Sequence, residues 1–331
     1  MSKIIKIIYL TMIIVLILGS LSGCGSNGGS EVPDTQDESG LKIVTTIFPE
    51  YDWAVNIIGD DPGDAEVTLL INSGVDLHSY QPAADDILKI STADVLVYLG
   101  GESDKWVEDA LRTSSNEEMI VVSLLDELGS SVKEEEVVEG MQGEDDEGDE
   151  EEPEYDEHVW LSLKNAAFFV NCLQEAISKA DPENAETYKA NADAYIEKIR
   201  ALDEEYEAAV SAAPTKTLLF GDRFPFRYLT DDYGLEYYAA FVGCSAETEA
   251  SFETITFLST KIDELGLHSV MTIEGTDHRI AETIIQNTKT KDQKILTLDS
   301  MQSVTADQAA NGVSYLSIME SDLSVLKEAL N

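Results

Sequence analysis

Four histidines stand in a chain of 331 residues that carries 65 aspartates and glutamates. Imidazole nitrogens and carboxylate oxygens together form a donor set for divalent metal cations, so the surroundings of each histidine decide whether that chemistry is on offer. His78 lies in NSGVDLHSYQPAADD, and His158 closes the acidic run GEDDEGDEEEPEYDEHVW. His278 follows Glu274-Gly275-Thr276-Asp277 in a segment with several oxygen donors, whereas His268 stands before an apolar run and is expected to be structural or exposed. A single histidine is more often a surface or satisfied core residue than a ligand. Four loops that each offer His, Asp or Glu at strand ends favour a metal site. Such ligands with an open position could activate water, but the chain has no H-E-x-x-H helix and no G-x-S-x-G turn, which points to binding without catalysis.

The elements around these residues set their positions. LKIVTTIFP, AEVTLLI, ADVLVYLG and EMIVVSLL are apolar, β-branched runs separated by helix-like stretches, as in parallel strands covered on both faces. His78 then falls in the loop after the second strand, the end at which open α/β sheets place ligands. From Pro182 to about Ala213, Tyr188, Ala192, Tyr195, Ile196, Ile199, Leu202 and Tyr206 recur at three- and four-residue spacing. One helix face is therefore buried over a length greater than one small domain is wide, so it bridges two domains. Beyond Pro214 the alternation resumes through KTLLFG, YYAAFV, HSVMTIE and KILTLD to a last helix near 316–330. The expected fold is α/β, with two lobes of mainly parallel sheets flanked by helices and joined by one long backbone helix. The lobes span 41–181 and 214–331, with the linking helix at 182–213 and no short-period repeat.

The first residues, MSKIIKIIYLTMIIVLILGSLSGCG, carry Lys3 and Lys6 ahead of a short apolar run and read as a secretory signal over 1–23. Its Leu-Ser-Gly-Cys ending resembles a bacterial lipoprotein signal, which would make Cys24 a lipid anchor on the outer face of the cell membrane, followed by a polar tether to residue 40. Without residues 1–23, which hold two lysines and no acids, the formal charge moves from −44 to −46. A body this acidic repels nucleic acid and favours cations. Cys172 and Cys244 could pair or stay single, and the sequence leaves both open. Residues 134–157 hold fifteen acids, too charged a segment to pack and expected as a mobile loop.

Three stretches, TTIFPEYDWA, GVDLHSYQPAADDILKISTADVLVYLGGESDKWVEDAL and DEHVWLSLKNA, resemble the zinc and manganese substrate-binding lipoproteins of ABC transporters, the ZnuA and TroA type. Patterns there run approximately P-H-S-Y-E-P-S-P-S-D and D-P-H-V-W-L-D-P, and the likeness covers nearly the whole chain after the signal. The resemblance implies a metal cation held between two lobes, with His78 and His158 as the first two ligands and a permease with its ATPase as partners of a monomeric receptor. The family's third ligand opens a segment like H-x-A-F-G-Y-x-x-x-x-Y-G-L. Counting back from Tyr233-Gly234-Leu235 puts Arg223 there, and arginine cannot bind a cation. Asp222, Glu247 and Glu249 are the substitutes, and the fourth position falls to Asp277 with His278 in reserve. Zinc is the expected cation and manganese the alternative; a metal-buffering surface adhesin is a further one. The acidic segment would gather cations and hand them to His158.

Overall fold

The computed structural model describes residues 40–60, 63–143, 154–245 and 249–331. Cys24, the tether, Glu247 and the middle of the acidic run lie outside the described residues. Strands β1 (Lys42–Thr45), β2 (Glu66–Leu69), β3 (Val95–Tyr98) and β4 (Ile120–Ser123) form one parallel sheet in the order β2-β1-β3-β4. Strands β5 (Thr217–Phe224), β6 (Glu236–Val242), β7 (Ser269–Ile273) and β8 (Lys294–Leu298) form a second in the order β6-β5-β7-β8, also parallel. Each sheet reverses strand order beside its first strand, and the loops at the carboxyl ends face the region where such sheets hold ligands. The strands are short because each apolar run is bounded by turn residues. β5 is the exception, extending three residues past the predicted KTLLFG.

Helix Ala185–Ala212 is the predicted bridge, 28 residues long, and it buries Tyr188, Ala192, Tyr195, Ile196, Ile199, Leu202, Tyr206 and Val210. Its first half serves one lobe: Tyr195 Oη donates to Asp52 Oδ2 at 2.7 Å and Asn191 Nδ2 to the Ile57 carbonyl at 3.1 Å. Its second half serves the other: Tyr206 Oη donates to the Met319 carbonyl at 2.6 Å and Tyr233 Oη reaches Asp203 at 2.7 Å. One apolar core runs through both lobes without interruption, from Ile43, Trp53 and Phe169 to Phe220, Tyr315 and Leu326. Two lobes that share a core resist independent movement more than two joined by loops alone.

Trp160 ties the segment after His158 to the second lobe, because its Nε1 donates to the Ser300 carbonyl at 2.9 Å and its own carbonyl accepts Tyr315 Oη at 2.7 Å. The flanks of the acidic run are packed, against expectation. Glu134 bridges Tyr155, Glu135 N–H donates to the Glu154 carbonyl at 2.8 Å, and Glu136 pairs with Arg227 at 2.7 Å. Gln142 N–H bonds the Ala240 carbonyl at 2.9 Å and Met141 is buried. Individual carboxylates with donors and cations of their own escape the repulsion that composition alone suggested. Among the described residues, no helix is long and apolar enough to cross a membrane.

Glu50 shows how a charge-poor interior keeps an acid. In the first turn of helix Phe48–Ile58, its Oε2 accepts from Thr46 N–H at 2.8 Å and Ile47 N–H at 3.2 Å, while Oε1 is buried with no partner. Burial, then the nearby Asp104, push its carboxyl from the ordinary 4.5 to about 8. The folded state therefore holds this proton to a higher pH than the unfolded chain does, so stability falls as pH rises from about 4.5 toward 8. Glu50→Gln, which keeps the accepting oxygen and cannot ionise, should shrink that loss, read as a smaller drop in melting temperature between pH 5 and 8. Tyr315→Phe should leave the buried Trp160 carbonyl unpaired and cost about 1–3 kcal/mol in urea unfolding.

Candidate metal centre

His78 sits on the turn after β2, where Asp76 caps it: Asp76 Oδ1 accepts the His78 backbone N–H at 3.0 Å. Its Nδ1 meets Ser103 Oγ at 2.7 Å, and the Ser103 hydroxyl in turn donates to Glu157 Oε2. Glu157 Oε1 also accepts the Ser103 backbone N–H at 3.0 Å. The loop after β3 carries Gly101 there because a side chain would collide with this carboxylate, a Cβ falling 2.0 Å from Oε1. With the Ser103 hydroxyl donating to Glu157, its Oγ accepts from His78 Nδ1–H, which assigns the tautomer and leaves a lone pair on His78 Nε2.

His158 is fully buried beside Trp160, with ring centroids 5.3 Å apart. Asp156 Oδ1 accepts both its backbone N–H, at 2.9 Å, and its Nδ1, at 3.1 Å. Again the proton is on Nδ1 and the Nε2 lone pair is free. A ligand imidazole whose other nitrogen is held by a carboxylate or hydroxyl is the usual arrangement of a metal site. The two Nε2 atoms stand 3.4 Å apart. Two nitrogens each about 2.0–2.1 Å from a tetrahedral zinc lie about 3.3–3.4 Å apart, so the pair is spaced for one cation. Burial and then the neighbouring His158 lower the His78 imidazole to about 3, which keeps it neutral and able to donate.

The remaining predicted ligands are not brought to this pair. β5 slips register by one residue between Phe220 and Arg223, and the bulge re-aims both side chains after it. Asp222 turns toward β7, where Oδ2 accepts from Thr276 Oγ1 at 2.9 Å and Ile273 N–H at 3.3 Å while Oδ1 takes the Arg223 N–H at 2.9 Å. Asp277 is exposed and paired with Arg279. His278, at φ 58°, stands at the N-terminal boundary of the next helix without a side-chain cap hydrogen bond. Asp222, Asp277 and His278 line a separate cavity of about 180 Å³. Glu249 is exposed, and His268 is exposed as expected. Arg223 forms an ion pair with Asp76, so it clips the His78 turn to the second lobe.

Sequence reasoning passed over Cys244. Its Sγ and a ring nitrogen each of His78 and His158 all lie within 4.8 Å of one another, the one such group of three or more His, Cys, Asp or Glu among the described residues. Cys244 follows the carboxyl end of β6, the same rule of position that singled out the histidines, and both it and Cys172 are free thiols. Gln302 was also missed. It is 5% exposed and lies against the His78 ring, with Nε2 donated to Ser300 Oγ at 2.9 Å and Oε1 buried without a partner. A cavity of about 240 Å³ lined by Glu102, Ser103, Glu135, Glu157, His78 and Cys244 opens onto the centre.

The model of the family "Zinc-uptake complex component A periplasmic" matches residues 43–329. The zinc-binding lipoprotein AdcA of Streptococcus pneumoniae is 32% identical over 295 residues, which are 88% of this chain and 56% of that protein. The chain thus spans about half the length of such streptococcal relatives. The high-affinity zinc uptake system protein ZnuA of Bacillus subtilis is 29% identical over 322 residues, 94% of this chain and 93% of its own. Among solved structures, the Zn(II)-bound ZnuA-like domain of S. pneumoniae AdcA superposes with a TM-score of 0.68 at 28% identity, covering 88% of this chain and 98% of that domain. With the match running from β1 to the last helix, the chain belongs to the zinc-uptake component A (ZnuA) family.

Proposed function

We propose that this protein is an extracytoplasmic receptor that captures a divalent cation, zinc first and manganese as the alternative, and delivers it to an ABC permease driven by its ATPase. The observation that carries the reading is a pair of imidazoles, His158 fully buried and His78 partly exposed, each with Nδ1 engaged and with their Nε2 atoms 3.4 Å apart. Two neutral lone pairs held this close repel in the absence of a cation and coordinate in its presence, so the arrangement suits a ligand that binds and leaves. The orphaned Oε1 of Gln302 beside His78 fits the same cation or its water. Family membership supports the transport role, and relatives named for zinc binding support the choice of metal. Cys24, in the Leu-Ser-Gly-Cys context, is the proposed lipid anchor that keeps a monomeric receptor beside its permease.

Direct titration of the purified, metal-stripped protein against a zinc chelator tests the reading. Tight zinc binding is expected, with a rise in melting temperature that a chelator reverses, equivalent to about 4 kcal/mol at a free zinc concentration about 1,000 times Kd. His78→Ala and His158→Ala should each lose more than about 100-fold in affinity, beyond the roughly 10- to 100-fold typical of a lost outer partner. Ser103→Ala, which frees Nδ1 of His78, should lose about 10- to 100-fold while its metal-free melting stays near that of the parent. Absence of tight binding of either zinc or manganese would sink the receptor reading.

A further inference from the structure

We infer that Cys244 supplies the third donor as a thiolate, and that this donor makes the centre select zinc over manganese. The inference rests on the receptor reading and deepens it by naming the cation class.

Geometry comes first. In a tetrahedral zinc site with Zn–S about 2.3 Å, a sulfur stands about 3.6 Å from each nitrogen ligand. The Sγ of Cys244 lies within 4.8 Å of a nitrogen of both imidazoles, so it closes the triangle with a shift of about 1 Å at most. The two-residue turn after β6 is built for this approach. At Gly243 a Cβ would fall 2.9 Å from His158 Cε1 and 3.0 Å from the Phe224 carbonyl oxygen, so only glycine lets the backbone press against that ring. Glu135 then holds the cysteine from the first lobe, its Oε1 accepting the Cys244 N–H at 3.1 Å, and Glu135 is itself fixed through its N–H to the Glu154 carbonyl.

Of the donors that the sequence offers from the second lobe within the described residues, Asp222 and Asp277 are engaged elsewhere. Both Asp222 oxygens are bonded to β7 and to Arg223, Asp277 pairs with Arg279, and Arg223 is a cation spent on Asp76. A second observation points independently to a ligand: Gln302, 95% buried, lies against His78 and carries a buried side-chain oxygen with no hydrogen-bond partner. Two imidazoles, a thiolate and a neutral oxygen or water form a four-coordinate set of the kind zinc takes. Manganese, a harder ion low in the order of divalent affinities, gains least from a sulfur donor.

Cobalt(II) reports sulfur directly, because a thiolate bound to it adds a charge-transfer band in the near ultraviolet. The test loads the parent protein, Cys244→Ser and Cys172→Ser with cobalt, then measures zinc and manganese affinity by chelator competition. The expected result is a thiolate band in the parent and in Cys172→Ser that is missing in Cys244→Ser. The zinc affinity of Cys244→Ser should fall by about 100-fold and its manganese affinity by less than about 10-fold. Cobalt bound by the parent without a thiolate band would overturn the inference, as would an unchanged ratio of zinc to manganese affinity in Cys244→Ser. Both outcomes leave the receptor reading standing, whereas a parent that binds none of the three metals defeats that reading itself. If Cys244→Ser fails to fold, the parent and a Cys24→Ser/Cys172→Ser double variant decide the matter together, since a band that both retain comes from Cys244.

Discussion

Two imidazole nitrogens, each bearing a lone pair, face one another at 3.4 Å, His158 buried and His78 beside an open cavity, and the groups packed around them hold them there. Neither ring can relieve the repulsion by changing tautomer, because Asp156 and the Ser103–Glu157 pair hold both Nδ1 protons. Neither can swing away at small cost. Asp76 caps the His78 turn and is itself clipped by Arg223, while Trp160 and Tyr315 pin the segment after His158 to the second lobe. A conformation that is unfavourable alone and favourable around a cation is what preorganisation for binding means physically.

The continuity of the core explains why that geometry can be held. Trp53, Phe169 and Tyr315 pack face and edge to one another, with ring centroids at 5.8 and 5.4 Å, and join the first lobe's helices to the last helix of the second. The bridging helix then adds polar contacts to each lobe in turn, at Tyr195 and Tyr206. Donors from both lobes are therefore positioned by one packed body, and a misplacement of half an ångström at the centre would have to be absorbed by close-packed side chains.

Much of this was legible in the sequence. Alternating apolar runs revealed two parallel sheets, the three- and four-residue spacing of Tyr188 to Tyr206 revealed the bridge, and the segments around His78 and His158 carried the family likeness. The contents of the second lobe's contribution were not legible, for two physical reasons. A one-residue bulge in β5 leaves no mark in a sequence, yet it turns Asp222 toward β7 and Arg223 toward Asp76. The partners that settle each side chain are far apart in the chain, as with Arg223 and Asp76, and spacing carries no trace of them. Cys244 could have been found. It stands at the end of YYAAFV, where the rule that drew attention to His78 applies equally, but a cysteine in an exported chain invites a question about disulfides before one about metals.

Arg223 makes the site's charge balance instructive. A cation placed where a ligand is expected would ordinarily oppose a divalent metal, since two like charges a few ångströms apart in a partly buried site repel by several kcal/mol. Here the guanidinium is matched by Asp76, itself part of the His78 turn, so the pair adds almost no net charge while fixing the turn. Burial, and then Glu135, Glu157 and Asp156 around it, push the Cys244 thiol up, which disfavours a bare thiolate, so in the proposed site a metal would be the partner that stabilises it. The same carboxylates that penalise an empty thiolate favour a bound dication. In the proposed site, groups that do not themselves ligate would favour the bound cation.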